Sequence, residues 1–412
     1  MKKILSFLMC LSLMAVILTF CGRKEPETVT DDLPVINLAL RSGIYAEVIK
    51  QCIPQFEEEN QIHCRFFELG EEELHSLVAN DVGNTPGSYD LCMVDGSWMA
   101  EYTDNGVLAD LSAMGFQLDD DIIPATTKIC YYNGGTYLAP FYGNVTVLLY
   151  NRSIVKEAGY DAGGIGSLED VLKICKEARQ NGNYGFMYRG DSSNNFVVDF
   201  LPILLSHGGW GVDEENHPAV NTKEFREAME FYLELIDTGK AESRDNLITA
   251  IANGASTMAV GWPGWYTPSE NSSADYCALE GKVKDDSPSY NANVYGIWAI
   301  GIPANSAQKD VSVKLLSYLM DPKVQKESIM YGGVPCRYSS LRDEGVQKEF
   351  PQYEAVCKAL ESGIYRPIMA EWTSFYTILG EEMEHVIKGD KTVEDGLNEA
   401  QSRLEKLLED EG

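Results

Sequence analysis

Tryptophan is the residue type whose placement in this chain most strongly suggests chemistry. Five of the six tryptophans lie in loops or at strand ends, beside polar residues, glycine or proline, rather than on the apolar stripe of a helix. At Trp262-Pro-Gly-Trp265-Tyr266 a strand ends and three large rings follow on one turn. Such rings suit a ligand with flat apolar faces, and sugars combine these faces with a rim of hydroxyl groups that polar side chains bind. The six are Trp98, Trp210, Trp262, Trp265, Trp298 and Trp372.

Catalytic signatures are missing from the sequence. The five histidines form no motif, and there is no nucleophile elbow and no Cys/His spacing typical of a metal site. With 63 carboxylates in the chain, an acid pair of the kind that glycoside hydrolases use stays possible by chance. We therefore expect no enzymatic activity, no cofactor and no metal, and keep an exported glycoside-active enzyme as the alternative.

The N-terminus has the layout of an export signal. Lys2 and Lys3 precede an apolar run from Ile4 to Phe20, and the chain turns polar after Cys21. The segment ending at Cys21 resembles a bacterial lipobox, although Phe20 stands where the lipobox has a small residue. The other interpretation is a membrane anchor, but about 17 apolar residues is the minimum that spans a bilayer. We predict a signal peptide over residues 1–21, lipidation at Cys21 and a flexible tether over 22–33.

Charge and cysteine content limit the partners and the redox chemistry. The formal charge is −30, which argues against binding nucleic acid or an anionic membrane surface. An exported chain could form disulfides, but no two cysteines after Cys21 are close in sequence, and several lie in apolar stretches. We predict that most of these eight stay unpaired: Cys52, Cys64, Cys92, Cys130, Cys175, Cys277, Cys336 and Cys357.

The elements that must position the rings alternate between strand and helix. Strands are predicted at 36–40, 62–67 and 89–95, with a helix over about 45–59 between the first two. The near-continuous apolar run before Asp95 is typical of a parallel strand covered on both faces. Further strands are predicted at 145–150, 256–262 and 296–303, and the last hundred residues are mostly helical. This pattern predicts an α/β protein with parallel-rich sheets flanked by helices.

Short motifs in a fixed order carry a family resemblance. Over the whole chain after the signal, the sequence resembles the extracellular solute-binding proteins of ABC transporters, in the carbohydrate-binding group related to maltose- and trehalose-binding proteins. The matching segments are Tyr89-Asp90 through Trp98, Gly106 through Leu111, Thr136 through Asn151, Met258 through Trp262, Trp298 through Pro303, and Arg366-Pro367.

This resemblance implies an α/β, two-lobed periplasmic-binding-protein-like fold with a multi-crossing hinge and the ligand held between the lobes. The expected boundaries are 34–141 plus 296–334 for the first lobe and 142–295 plus 335–412 for the second. It also implies a monomer that hands a carbohydrate to permease subunits of an ABC importer. Tethered by lipid, the protein would lie in the cell envelope, at the outer face of the cytoplasmic membrane or in the periplasm. The same fold binding a non-sugar solute is the further alternative.

Several cleft residues follow from the resemblance. Asp95 and Asn144 match positions that bind sugar hydroxyls, and Trp262 and Trp298 match stacking positions. Arg366 matches an arginine that reaches the cleft, although it could instead pair with an acid across the lobes. Where several relatives have an acid, this chain has the amide of Asn144, so the identity of the sugar does not carry over. Other expected contacts are Tyr45, Trp98, Tyr142, Trp265 and Trp372, the last two of which could equally be core residues.

Overall fold

The computed structural model describes residues 33–161, 165–190, 192–268, 272–369 and 371–411. The predicted signal peptide, Cys21 and nearly all of the predicted tether lie outside these residues. Within them, no helix is long and apolar enough to cross a membrane. All eight cysteines of the described chain carry free thiols, and every one except the half-buried Cys277 is buried.

Strands in the described chain form two main sheets. The first has the order β2-β1-β3-β13-β6 and the second β11-β7-β10-β8-β9. In chain order the strands are β1 (Val35–Arg41), β2 (His63–Leu69), β3 (Leu91–Asp95), β4 (Tyr131–Tyr132), β5 (Gly135–Thr136), β6 (Leu138–Tyr142), β7 (Val147–Asn151), β8 (Tyr184–Arg189), β9 (Lys240–Glu242), β10 (Ser256–Gly261), β11 (Ala274–Cys277), β12 (Val294–Tyr295), β13 (Trp298–Gly301) and β14 (Ile364–Tyr365).

Helices cover both sheets, which is why β3, β6, β7 and β10 are buried along their whole length. The α-helices of the described chain are Ile44–Cys52, Pro54–Asn60, Glu71–Asp81, Met99–Asp104, Arg152–Glu157, Leu168–Gln180, Ser193–Ser206, Lys223–Asp237, Arg244–Ala252, Lys309–Leu319, Pro322–Ser328, Tyr338–Leu341, Glu344–Glu349, Gln352–Glu361, Trp372–Ile387 and Val393–Glu411. Short 3₁₀ turns lie at Gly96–Trp98, Pro124–Cys130 and Ile329–Tyr331.

One predicted helix is wrong in its extent. The sequence pattern predicts a single helix over about 45–59, but the structure has two helices that meet at Ile53 and Pro54. Proline has no N–H to donate to the preceding turn, and its ring displaces the carbonyl of that turn. The second helix therefore begins at Pro54, a position where the missing donor does no harm.

Each sheet has a lobe built around it, and within the described residues the chain crosses between the lobes at three places. The first crossing links β6 to β7, the second contains β12 and leads into β13, and the third contains β14. The crossings are tied together, because β12 pairs with β14 in parallel and Val145 bridges Tyr295. This is the predicted two-lobed architecture with a multi-crossing hinge.

The segment after the second crossing does not divide as simply as the predicted lobe boundaries. Residues 335–412 are predicted to belong to the second lobe, but four of them lie in the core that contains the first sheet: Leu341, Val346, Tyr353 and Leu360. Trp372–Ile387, in contrast, packs against Ser193–Ser206 in the core of the second sheet. The boundaries themselves stay a prediction.

Candidate functional site

A cleft of about 770 Å³ lies between the lobes and is lined by residues from both. On the first-lobe side, β1 ends at Arg41 and β3 ends at Asp95, and both residues line the cleft. The two strands are parallel neighbours, so their carboxyl ends open at the same edge of the sheet. Gly43, with φ of 83°, turns the chain from β1 into the next helix, whose second residue is Tyr45.

Trp298 lines the first-lobe side of the cleft, which we call the first wall. The ring centroid of Trp298 lies 5.5 Å from that of Tyr45 and 5.3 Å from that of Trp98, which meets it edge-on. The guanidinium carbon of Arg41 lies 5.9 Å from the same ring, within cation–π range. Only 3% of Trp298 is exposed. The residue therefore belongs to the cleft lining and to the hydrophobic core at once.

An ion pair joins the first lobe to the third crossing. The Asp95 carboxylate accepts hydrogen bonds from Arg366 Nη2 at 2.6 Å, from the Ser97 N–H at 2.9 Å and from Ser97 Oγ at 2.7 Å. Burial opposes the charge of Arg366, but the adjacent Asp95 outweighs it and raises the pKa of the guanidinium. The pair presents a fixed acceptor and a fixed donor to the cleft.

The side-chain amide of Asn144 is another polar group of the cleft lining. Asn144 Nδ2 donates to Tyr45 Oη at 3.3 Å, whereas Asn144 Oδ1 is buried and has no partner among the described atoms. Burial raises the pKa of Tyr45 to about 12, so its hydroxyl stays protonated at neutral pH. One end of the Asn144 amide is thus left without a hydrogen bond at the base of the cleft, which carries a free-energy penalty until a partner arrives.

The second lobe supplies an aromatic turn. Trp262 lies against Gly296 of the second crossing, where a Cβ would come within 2.8 Å of the indole. Trp265 lies against Gly261, and the guanidinium carbon of Arg189 is 5.4 Å from its ring. Arg189 is itself held by Asp199, at 2.5 Å. The wall also contains Tyr376, from the helix Trp372–Ile387, whose pKa burial raises to about 12.

Residues 40–326 match the family model described as bacterial extracellular solute-binding protein. This match spans more than half of the chain. The chain belongs to this family.

A curated relative and several solved structures resemble this solute-binding protein. A protein of Sinorhizobium fredii, named a probable amino-acid ABC transporter periplasmic-binding protein, is 22% identical over 92% of this chain and 90% of its own length. Maltose-bound MalE3 of T. maritima has a TM-score of 0.79 at 22% identity and covers 90% of this chain and 99% of its own. A solute-binding protein of Agrobacterium radiobacter in complex with ribitol has a TM-score of 0.79 at 22% identity, over 91% and 98%. At these identities the structures show the shared fold.

Seven of the ten predicted contact residues line the cleft of this solute-binding protein. They come from distant parts of the chain and from both lobes, and they are Tyr45, Asp95, Asn144, Trp262, Trp265, Trp298 and Arg366.

Three predicted contacts do not line it. Trp98 is 5% exposed and lies behind Trp298, edge-on to it. Tyr142 is 1% exposed, packs its ring 4.8 Å from that of Tyr45 and donates its hydroxyl to the Gly332 carbonyl. Trp372 is also 1% exposed and stacks on Phe375 in the second core. Trp98 and Tyr142 therefore support lining residues from behind, whereas Trp372 is a core residue.

The sequence reasoning missed several charged residues of the lining. They are Arg41, Glu71, Glu72, Arg189, Arg244 and Asp245. The available signal was their position: Arg41 and Arg189 end strands, and the others lie in the first turn of a helix. In an open α/β sheet these positions face the binding crevice.

One cluster in the described residues has metal-ligand side chains close together, at Asp213, Glu215 and His217. All three side chains are exposed, and Asp213 Oδ1 accepts the backbone N–H groups of the other two at 3.0 and 2.8 Å. These bonds explain the cluster as a surface turn. It does not line the cleft.

Proposed function

We propose that this solute-binding protein captures a sugar, an oligosaccharide or a polyol in the cleft between its lobes. The supporting observation is the alternation of rings and ion-paired polar groups around one cavity. Five aromatic rings of the described residues line it: Tyr45, Trp262, Trp265, Trp298 and Tyr376. Rings cover the apolar faces of a sugar, while fixed carboxylate, guanidinium and amide groups bind its hydroxyls.

The charges of the lining favour a neutral ligand. Among the described residues of the lining, four arginines stand against four carboxylates, so neither sign is in excess among them. The carboxylates accept and the guanidinium groups donate, which suits hydroxyl groups that do both. The cations are Arg41, Arg189, Arg244 and Arg366, and the anions are Glu71, Glu72, Asp95 and Asp245.

The Sinorhizobium relative carries the name of an amino-acid transporter, so an amino acid is the ligand to test against. A small amino acid would leave most of the five rings uncovered in a cavity of about 770 Å³. Ligand pockets of this kind usually bury most of the ligand surface against their walls. A ligand with several flat faces in succession would cover more of the five rings and therefore fits this cavity better.

The role that we infer is delivery of this ligand to the permease subunits of an ABC importer. The relative and the Agrobacterium protein are both named as components of ABC transporters. Lipidation at Cys21 would keep the protein, as a monomer, at the outer face of the membrane that holds the permease. Mass spectrometry of the protein from membranes tests the anchor, because a diacylglyceryl group on Cys21 changes the mass of the mature N-terminus. A soluble form cleaved elsewhere would contradict it.

Glycoside cleavage is the second candidate, because Asp95 and Glu71 are two of the carboxylates that line the same cleft. Enclosure in the cleft, and then the charge of Asp95, raise the pKa of Glu71. A raised pKa is the property that a general acid needs. Asp95, however, is committed to Arg366 and Ser97, which opposes a role as nucleophile or free base.

The deciding experiment measures thermal unfolding and tryptophan fluorescence of the purified protein against a panel of maltose, longer oligosaccharides, ribitol and the common amino acids. A ligand at about 100 times its dissociation constant stabilises the folded state by about 2.7 kcal/mol. We expect a stabilising sugar or polyol with a change in fluorescence and no hydrolysis products by chromatography. Stabilisation by amino acids alone would overturn the proposal, and released monosaccharide would favour the enzyme.

A further inference from the structure

The aromatic turn of the second lobe contacts the first lobe at Gly264. A Cβ placed on Gly264 would lie 2.5 Å from Tyr142 Oη and 3.9 Å from Ile44 Cγ2. Tyr142 ends β6 of the first sheet, and Ile44 begins the helix after β1. Because 2.5 Å is well inside van der Waals contact, no side chain fits at Gly264 while the lobes stand as they do here.

The turn is hydrogen-bonded to the second lobe. The Trp262 carbonyl accepts the Trp265 N–H at 3.0 Å and the Tyr276 hydroxyl at 3.1 Å. The Tyr266 N–H donates to the same hydroxyl at 2.8 Å. Tyr276 lies in β11 of the second sheet and is buried, so one hydroxyl fixes both ends of the turn to that sheet.

The surface that the turn meets is equally fixed to the first lobe. Tyr142 Oη donates to the Gly332 carbonyl at 2.9 Å, and its ring packs against Tyr45. Ile44 packs against Gly332, where a Cβ would lie 2.8 Å from Ile44 Cδ1. With its ring buried and its hydroxyl bonded, Tyr142 cannot turn away without breaking that hydrogen bond.

We propose that Gly264 is the closure stop of the cleft: the second lobe closes until the turn reaches Tyr142, and the missing side chain sets how far. The same turn carries Trp262 and Trp265, so this contact also sets the distance of both rings from Trp298 across the ligand. A side chain at position 264 holds the rings back and weakens binding of every ligand that needs both walls. The proposal deepens the proposed function and rests on it, although the contact at Gly264 itself involves only residues of the two lobes.

The test is a distance measurement between the lobes in ligand-free protein. Spin labels on Ser76→Cys and Thr249→Cys report it, because both residues are exposed on helices of opposite lobes and neither lines the cleft. The eight thiols of the described residues are buried or half-buried, so the introduced pair reacts before them, and unsubstituted protein checks for labelling of any other native thiol. Electron–electron double resonance then gives the distribution of distances.

In this background we compare Gly264→Ala with Gly83→Ala. Gly83 is exposed and a Cβ there meets nothing within 4 Å, which makes it the matched control. Neither glycine has a positive φ, so alanine strains neither backbone and any difference comes from contact. We expect the wild type and Gly83→Ala to populate the distance of this structure, and Gly264→Ala to lose it for longer distances.

The second arm removes the atom that the new side chain would meet. Tyr142→Phe lacks the hydroxyl, so Gly264→Ala combined with Tyr142→Phe should regain shorter distances that the single Gly264→Ala variant lacks. An unchanged distribution in Gly264→Ala, or a wild type without the short distance, overturns the proposal. So does a failure of both Gly264→Ala and Gly264→Ser to fold, since Gly264 would then serve the fold of its own lobe. Because no sugar is used, these outcomes are independent of whether the panel finds a carbohydrate.

Discussion

The two walls of the cleft present similar side chains in different ways. On the first-lobe wall, Trp298 and Asp95 are 3% and 5% exposed, and each is held by several neighbours. On the second-lobe wall, Trp262 and Trp265 are half-buried on a turn that β11 supports. The first wall is the part of the hydrophobic core that faces the cleft. The second wall, the turn with Trp262 and Trp265, lies across the cleft from it, and we call it the cover. Substitutions in the first wall should therefore change folding and binding together, and substitutions in the second should separate them.

The largest effect is expected for Trp298→Ala, in the first wall. We expect the free energy of unfolding to fall by about 3–5 kcal/mol, because a large buried ring is replaced by a cavity. Denaturant unfolding followed by circular dichroism measures the loss, and Trp298→Phe, which refills most of the space, should recover much of it. An alanine variant as stable as the wild type would mean that Trp298 is a ligand platform and not a core residue.

The ion pair of the same wall gives the next effect. Arg366→Met leaves the Asp95 carboxylate buried without its cation, and removing one partner of a buried pair costs about 3–5 kcal/mol. Because the cleft admits water to Arg366, we expect the lower end of that range in urea unfolding. Arg152→Met is the control, since Arg152 pairs with Asp275 outside the cleft and its side chain is 30% exposed. Equal losses of unfolding free energy in the two variants would show that the Asp95–Arg366 pair contributes no more to stability than an ion pair outside the cleft.

Much of this fold could be predicted from apolar patterns alone. The predicted strand 256–262 is Ser256–Gly261 in the structure, and the polar start at Asn221-Thr222 is realised as Thr222 Oγ1 accepting the Phe225 N–H. Both are local signals, a buried run and a cap. The helix over 45–59 failed because the apolar spacing continues through Pro54 although the hydrogen bonds cannot.

The site residues also divide into those that a local sequence pattern identifies and those that only the packing of the fold brings to the cleft. Trp262 and Asp95 could be found because they follow apolar strands in recognisable motifs. Arg244 belongs to no motif: only the packing of two sheets brings it into the cleft beside residues two hundred positions away in the chain. Whether Trp98 lies in front of Trp298 or behind it also depends on packing, which spacing does not encode.

The cover is tested by Trp262→Ala. We expect binding of the ligand that the panel identifies to weaken by about 1–3 kcal/mol, from the loss of stacking and of buried apolar surface. The free energy of unfolding should change far less than in Trp298→Ala, because Trp262 is half-buried. Titration calorimetry together with thermal unfolding separates the two quantities. Trp210→Ala, which removes a half-buried ring outside the cleft lining, should leave affinity unchanged.

The smallest effect is expected at Tyr45, where the first wall makes a polar contact with Asn144 of the first crossing. Tyr45→Phe removes the acceptor of the Asn144 amide and should weaken ligand binding by about 0.5–1.5 kcal/mol, the range of one hydrogen bond. Tyr131→Phe, on a residue that is 51% exposed, is the control.

The pH dependence of the wild type sharpens the assignment of this hydroxyl. Burial raises the pKa of Tyr45 to about 12 from 10.0, so its proton is present throughout the neutral range and the hydroxyl can always donate. Affinity should therefore be flat between about pH 6 and pH 9. Above pH 10 the unfolded chain loses this proton before the folded one does, so the contribution of Tyr45 to stability declines as pH rises towards 12. The contrary result is a fall in affinity between pH 6 and 9 in the wild type that is absent from Tyr45→Phe. The hydroxyl would then ionise in that range, which would contradict the buried environment that distinguishes the first wall from the cover.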